Sequence, residues 1–214
     1  MSFPRRRREE MLAAAAELFY EHGYAATSTA DIAERMGIQR GSVYYYFDTK
    51  EGLLLELIED VYRHALASLE RVRASDEDAL GKLRALISDH VHAFTERLIP
   101  GAIVINESRS LSPANRDRLR RDAEAYEEGI VELLAEGQAA GLIRPELDPR
   151  LASLTVLGAL NWVHRWYRPG DPASPDAIAA QFADVLLGGL VSQTGVTVSA
   201  SMRQPAGVRT RPSA

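Results

Sequence analysis

Six side chains between residues 40 and 50 have the chemistry to grip a polyanion: Arg40, Ser42, Tyr44, Tyr45, Tyr46 and Lys50. A guanidinium can reach guanine edges, seryl and tyrosyl hydroxyls can reach phosphates, and a tyrosine ring can meet a thymine methyl. Gly41 carries no side chain, so a helix starting there can approach a duplex closely. Three consecutive tyrosines cannot all be buried on one helix, because successive residues turn by about 100°. At least one is therefore exposed, beside Arg40 and Lys50. The plainer alternative is a helical bundle with an aromatic cluster packed inside.

Other chemistry finds little footing. The chain has no cysteine, which rules out disulfides, thiolate zinc sites and a cysteine nucleophile. It carries no GxSxG, GxGxxG, P-loop or HExxH pattern. His90 and His92 would stand about 200° apart on a helix, too far round to share a metal. Neither catalysis nor a resident cofactor or metal is expected.

The elements that must position the candidate residues are helical. Leu12, Ala15, Ala16 and Phe19 form one apolar stripe, placing a first helix at about 5–22 with Gly23 as its stop. Ser28 and Asp31 resemble a capping box for a second helix over 29–36. A third follows at about 40–47 after the turn Gly37-Ile38-Gln39. Two short helices joined by such a glycine-bearing turn describe a helix-turn-helix. Ile32, Ala33 and Met36 would face the first helix, and Val43 and Phe47 would lock the third helix onto it. Longer apolar stripes place helices at 50–73, 76–98, 113–140, 149–167 and 173–190, with one short helix within 99–111. The fold class is all-α, with about nine helices. A three-helix head spans 5–48, a larger body 49–191, and 192–214 reads as a disordered tail.

The 214 residues are 46 % hydrophobic and carry a net charge of −5. Basic and acidic side chains balance within the first fifty residues, so the acidic excess lies wholly in the rest. Nucleic-acid contact must therefore be local. No apolar stretch approaches the ~18 residues of a membrane span. Glu9, Glu10 and Glu17 interrupt what could pass for a signal peptide, so a soluble cytoplasmic protein without membrane contact is expected.

Gly23-Tyr24, Thr27-Ser28, Asp31-Ile32-Ala33, Met36-Gly37-Ile38, Gly41-Ser42-Val43-Tyr44-Tyr45-Tyr46-Phe47 and Lys50-Glu51-Gly52-Leu53-Leu54 together resemble the TetR family of bacterial transcriptional repressors. The resemblance implies a homodimer that binds a palindromic double-stranded operator and leaves it when a small effector enters the body. It implies that Thr29 lies near the backbone or bases, and that Arg40, Ser42 and Tyr45 face base edges or adjacent phosphates. Tyr44, Tyr46 and Lys50 would hold phosphates. Ala30 stands where some members place a base-contacting arginine, which shifts base reading toward the third helix. Arg5 to Arg8 would either extend the backbone contacts or form a solvated terminus.

In the body, Asn106-Glu107-Ser108-Arg109, the arginines of 116–121 and the run from Asn161 to Pro169 resemble a branch that senses acyl-coenzyme A esters in fatty-acid or steroid breakdown. That resemblance implies Arg109, Trp162, Arg165 and Trp166 as effector contacts. Trp162 and Trp166 are equally compatible with core packing, and 116–121 with a solvated helix face. A hydrophobic drug or free acid is the other effector class, and a helical binding protein without DNA action the other function. Leu154, Gly158, Phe182, Val185, Leu186 and Gly189 lie on the apolar helix pair expected to form the dimer seam.

Overall fold

The computed structural model describes residues 3–191, and the side chains from residue 6 onward. The expected tail lies outside the described residues. The helices are α1 (Phe3–His22), α2 (Thr29–Arg35), α3 (Arg40–Tyr46), α4 (Lys50–Arg73), α5 (Ala79–Glu96), α6 (Leu98–Glu107), α7 (Pro113–Ala139), α8 (Pro149–Asn161), α9 (Val163–Trp166) and α10 (Pro175–Leu190). Nine are seven residues or longer, and α9 is a single turn. Ile143 and Val191 form an isolated antiparallel bridge. No helix among the described residues is long and apolar enough to cross a membrane.

Local chemistry sets the helix ends. Ser28 and Asp31 close a reciprocal capping box at α2. Thr49, Asp78 and Ser174 each accept a backbone N–H at the start of α4, α5 and α10. Pro113, Pro149 and Pro175 occupy first-turn positions, where a missing N–H is harmless. Gly37 ends the α2 segment at φ +64°, a conformation that makes the tight turn into α3.

The core divides unevenly. One cluster joins Met11, Phe19, Ile32, Val43 and Phe47 of the head to Leu53, Leu54 and Ile58 of α4 and Ile103 and Val104 of α6. The other holds the body together through α5, α7, α8 and α10, with Leu83, Ile87, Ile130, Leu133 and Val156 buried in it. The first half of α4 thus belongs energetically to the head. Body helices also approach closely at small residues. A Cβ on Gly129 would meet Leu69 at 2.2 Å, and one on Gly101 would meet the Phe94 ring at 2.8 Å.

One expected helix is broken. The segment 149–167 is not continuous, because α8 ends at Asn161 and α9 restarts at Val163. His164 Nδ1 lies 2.5 Å from the Asn161 carbonyl, the group that would otherwise accept from the Arg165 N–H. That N–H turns instead to the Trp162 carbonyl, tightening the turn.

Candidate functional site

The head presents α3 outward. Val43 is fully buried and Phe47 nearly so, which fixes the helix against α1 and α2. Arg40, Gly41 and Tyr44 are exposed, Ser42 and Tyr46 are half-buried, and Tyr45 is 80 % exposed. Tyr45 and Tyr46 meet edge to face at 4.9 Å, so the more buried ring orients the exposed one. Arg6 and Arg7 line a hollow with Ile38, Ser42 and Tyr46. They lie in the first turns of α1, which begins at Phe3.

Two residues expected to contact DNA also make hydrogen bonds within the head. Thr29 is buried, and its hydroxyl lies 3.0 Å from that of Tyr44. Hydrogen bonds from Thr29 and then Arg40 hold the Tyr44 phenol below its ordinary pKa. Thr29 therefore positions Tyr44. The Lys50 ammonium is engaged within the head as well. It donates to the carbonyls of Tyr24 and Thr27, both at 2.8 Å, and stands 4.2 Å from the centre of the Tyr24 ring. The physical reason is the loop after Gly23, whose turned carbonyls need a donor. Arg8 is likewise committed, paired with Glu56 of α4 and seated over the Phe47 ring.

The body holds a partly open cavity of about 270 Å³, lined by residues of α4, α5, α6 and α7. Phe94, His90, Tyr126 and Gly101 line its inner end, and His64, Arg71, Asp89, Glu96 and Arg97 its rim. His90 stacks on Phe94 with ring centres 4.9 Å apart. Its Nδ1 lies 3.2 Å from the Tyr126 hydroxyl and its Nε2 3.2 Å from Asn161 Oδ1. Burial pulls the imidazole down to about 4, so it is neutral at pH 7. Burial raises the Tyr126 phenol, and the charge of Asp89 adds to that. The rim arginines are engaged: Arg71 donates to Asp89 at 2.5 Å, and Arg97 pairs with Asp60.

None of the four expected effector contacts lines this cavity. Arg109 is exposed in the turn Ser108–Ser110, and Trp162, Arg165 and Trp166 lie on an outer face. The core-packing alternative for the tryptophans fails too, since Trp162 is 61 % exposed. Helical spacing accounts for both outcomes: Val163, His164 and Tyr167 continue the buried row of Ala152, Val156 and Leu160, while Trp162, Arg165 and Trp166 continue the exposed row of Leu151, Leu154 and Gly158. Arg165 has no carboxylate partner among the described residues.

The expected seam residues gather on that same outer face. Leu154 and Val185 are exposed, Leu151 joins them, and Phe182 and Leu186 are half-buried. Nothing lies within 4 Å of a Cβ built on Gly158 or Gly189, so both leave open space outside. Trp166 stacks on Phe182, extending the apolar surface from α10 to α9.

Ties between head and body escaped the sequence reading. Glu107, at the end of α6, accepts from the Tyr24 N–H at 3.3 Å. Glu51 accepts from the Ser112 N–H at 2.8 Å and from Asn115 Nδ2 at 2.6 Å, which holds its carboxyl below the usual range. Each joins residues over sixty positions apart, a pairing that no local pattern signals.

Comparison with known proteins agrees with this geometry. Residues 11–57 match the family described as bacterial regulatory proteins, tetR family, and residues 76–190 match the tetracyclin repressor-like C-terminal domain. The chain is 31 % identical over 196 residues to the HTH-type transcriptional repressor KstR2 of Mycolicibacterium smegmatis, covering 91 % of this chain and 95 % of that one. The structure of the ketosteroid transcriptional regulator KstR2 of Mycobacterium tuberculosis superposes with a TM-score of 0.83 at 29 % identity, over 87 % of this chain and 96 % of that one. AibR, solved in complex with isovaleryl coenzyme A and operator DNA, shares the fold with a TM-score of 0.76 at 24 % identity, over 86 % and 98 % of the two chains. With its outward α3, its body cavity and matches to both family regions, the chain belongs to the TetR family of transcriptional regulators.

Proposed function

We propose that the protein is a ligand-responsive repressor, binding a palindromic operator as a cytoplasmic homodimer and leaving it when an acyl-coenzyme A thioester binds the body. The observation that carries the DNA half is the outward row of Arg40, Ser42 and Tyr45 on a helix anchored by Val43 and Phe47. Arg40 and Tyr45 read base edges, and Tyr44, Tyr46 and Ser42 hold phosphates. Two heads are needed for two half-sites, and the apolar face of α8 and α10 supplies the seam through Leu154, Gly158, Phe182, Val185, Leu186 and Gly189.

For the effector half, the cavity is mostly apolar and suits an acyl group. It is too small for coenzyme A, whose phosphates must lie outside. Arg165, exposed beside Trp162 and without a carboxylate partner among the described residues, is the cation offered for them. The relatives' printed roles, ketosteroid regulation for one and an acyl-coenzyme A complex for another, support this class. One observation favours a second reading, an uncharged apolar effector without coenzyme A: both rim arginines are already ion-paired.

The test is an electrophoretic shift on the DNA upstream of the gene, with acyl-coenzyme A esters, free acids and free coenzyme A added in turn. Release by a thioester alone is the expected result. Release by a free acid or drug, with thioesters inert, selects the second reading. No shift on any upstream DNA overturns the DNA half.

A further inference from the structure

The polar groups at the floor of the body cavity have a fixed direction. His90 is half-buried and neutral, so one ring nitrogen carries a proton and the other is bare. Asn161 Oδ1, 3.2 Å from Nε2, can only accept, which places the proton on Nε2. Nδ1 is then bare, and the Tyr126 hydroxyl 3.2 Å away donates to it. Having given its one proton to His90, Tyr126 Oη has only lone pairs left.

The remaining polar lining points the same way. Ser68 and Arg71 both donate to Asp89 Oδ2, at 2.5 Å each. Arg97 is turned to Asp60. The donors at the floor, on His90 and Tyr126, are therefore spent within the protein, while Tyr126 Oη remains an acceptor.

We infer that this cavity selects an uncharged apolar ligand, or ligand portion, that bears a hydroxyl group, which donates to Tyr126 Oη. An acceptor-only oxygen such as a ketone finds no partner at the floor, and its desolvation goes uncompensated. The inference rests on the cavity being the effector site, but not on the presence of coenzyme A.

The test uses n-octanol and methyl hexyl ketone, which match in size and differ in the proton, with the binding of each followed by calorimetry on the full chain. Octanol should bind about fivefold more tightly than the ketone, the net worth of one hydrogen bond. In Tyr126→Phe the ratio should fall to about one through loss of octanol affinity, with the ketone unchanged. Nitrogen NMR of His90 in the wild-type protein gives a readout that needs no variant, and should show Nε2 protonated and Nδ1 bare. Equal or tighter ketone binding, a protonated Nδ1, or no binding of either probe overturns the inference. A correct octanol preference alongside inert thioesters would instead leave the inference standing and remove the acyl-coenzyme A reading. The reverse pattern would do the opposite.

Discussion

Head and body solve opposite problems of positioning. In the head, the groups that face outward sit on one seven-residue helix, and two anchors, Val43 and Phe47, aim all of them. In the body, the cavity floor is assembled from α5, α6 and α7, with Asn161 of α8 behind it. A short contiguous site can be read as a pattern, whereas a site gathered from distant helices depends on packing.

The largest effect should come from dividing the two functions at the seam. Val185→Glu places a charge on the 65 % exposed apolar face and should give monomers by light scattering. With only one head per particle, operator affinity should fall by about a hundredfold or more. The fold should survive, because Val185 contributes little to the monomer core. A dimeric Val185→Glu with full affinity would move the seam elsewhere.

Acid should strike the body before the head. His90 is held down to about 4 from its ordinary 6.5, so the unfolded chain binds a proton that the folded chain refuses. Stability is fully present above pH 6.5 and falls as the pH drops toward 4, by about 3 kcal/mol in all. Urea melts at pH 7 and pH 5 should differ by about 2 kcal/mol, and His90→Gln should flatten the difference. An equal pH dependence in that variant would show that other groups carry it.

Within the head, binding and stability should separate. Arg40→Ala and Tyr45→Ala should each lose about 1–3 kcal/mol of specific DNA binding and relax sequence choice. Their melting should stay within about 0.5 kcal/mol of wild type, since both side chains are exposed. Lys50→Met should do the reverse, at the smallest scale. Losing two charged hydrogen bonds to the Tyr24–Thr27 loop should cost about 1–2 kcal/mol of stability. The salt dependence of DNA binding should be unchanged. A salt slope lowered by about one would return Lys50 to the phosphate contacts.

The contrast explains what was legible. The capping box at Ser28, the turn at Gly37 and the buried Val43 follow from spacing alone, and the structure bears them out. The continuous helix over 149–167 was a fair reading of an apolar run. Its break depends on His164 competing for a carbonyl, which periodicity does not encode. Trp162 and Trp166 were noticed for their chemistry, yet they continue at helical spacing the exposed row of Leu154 and Gly158 and so face outward. The contacts of Lys50 within the head escaped the sequence because its partners are backbone carbonyls, invisible in any residue pattern. His90 was weighed only as a metal ligand with its neighbour, while its real partners lie on α7 and α8.

The central claim is that two α3 helices, held by one dimer, read a symmetric DNA site. Selection from a pool of random duplexes tests it most directly, with wild type beside the Arg40→Ala/Tyr45→Ala double variant. Wild type should enrich an inverted repeat with half-site centres one helical turn apart, about 34–36 Å, or a multiple of it. The double variant should enrich none. An unrepeated site, no enrichment by wild type, or the same repeat recovered by the double variant would contradict the account.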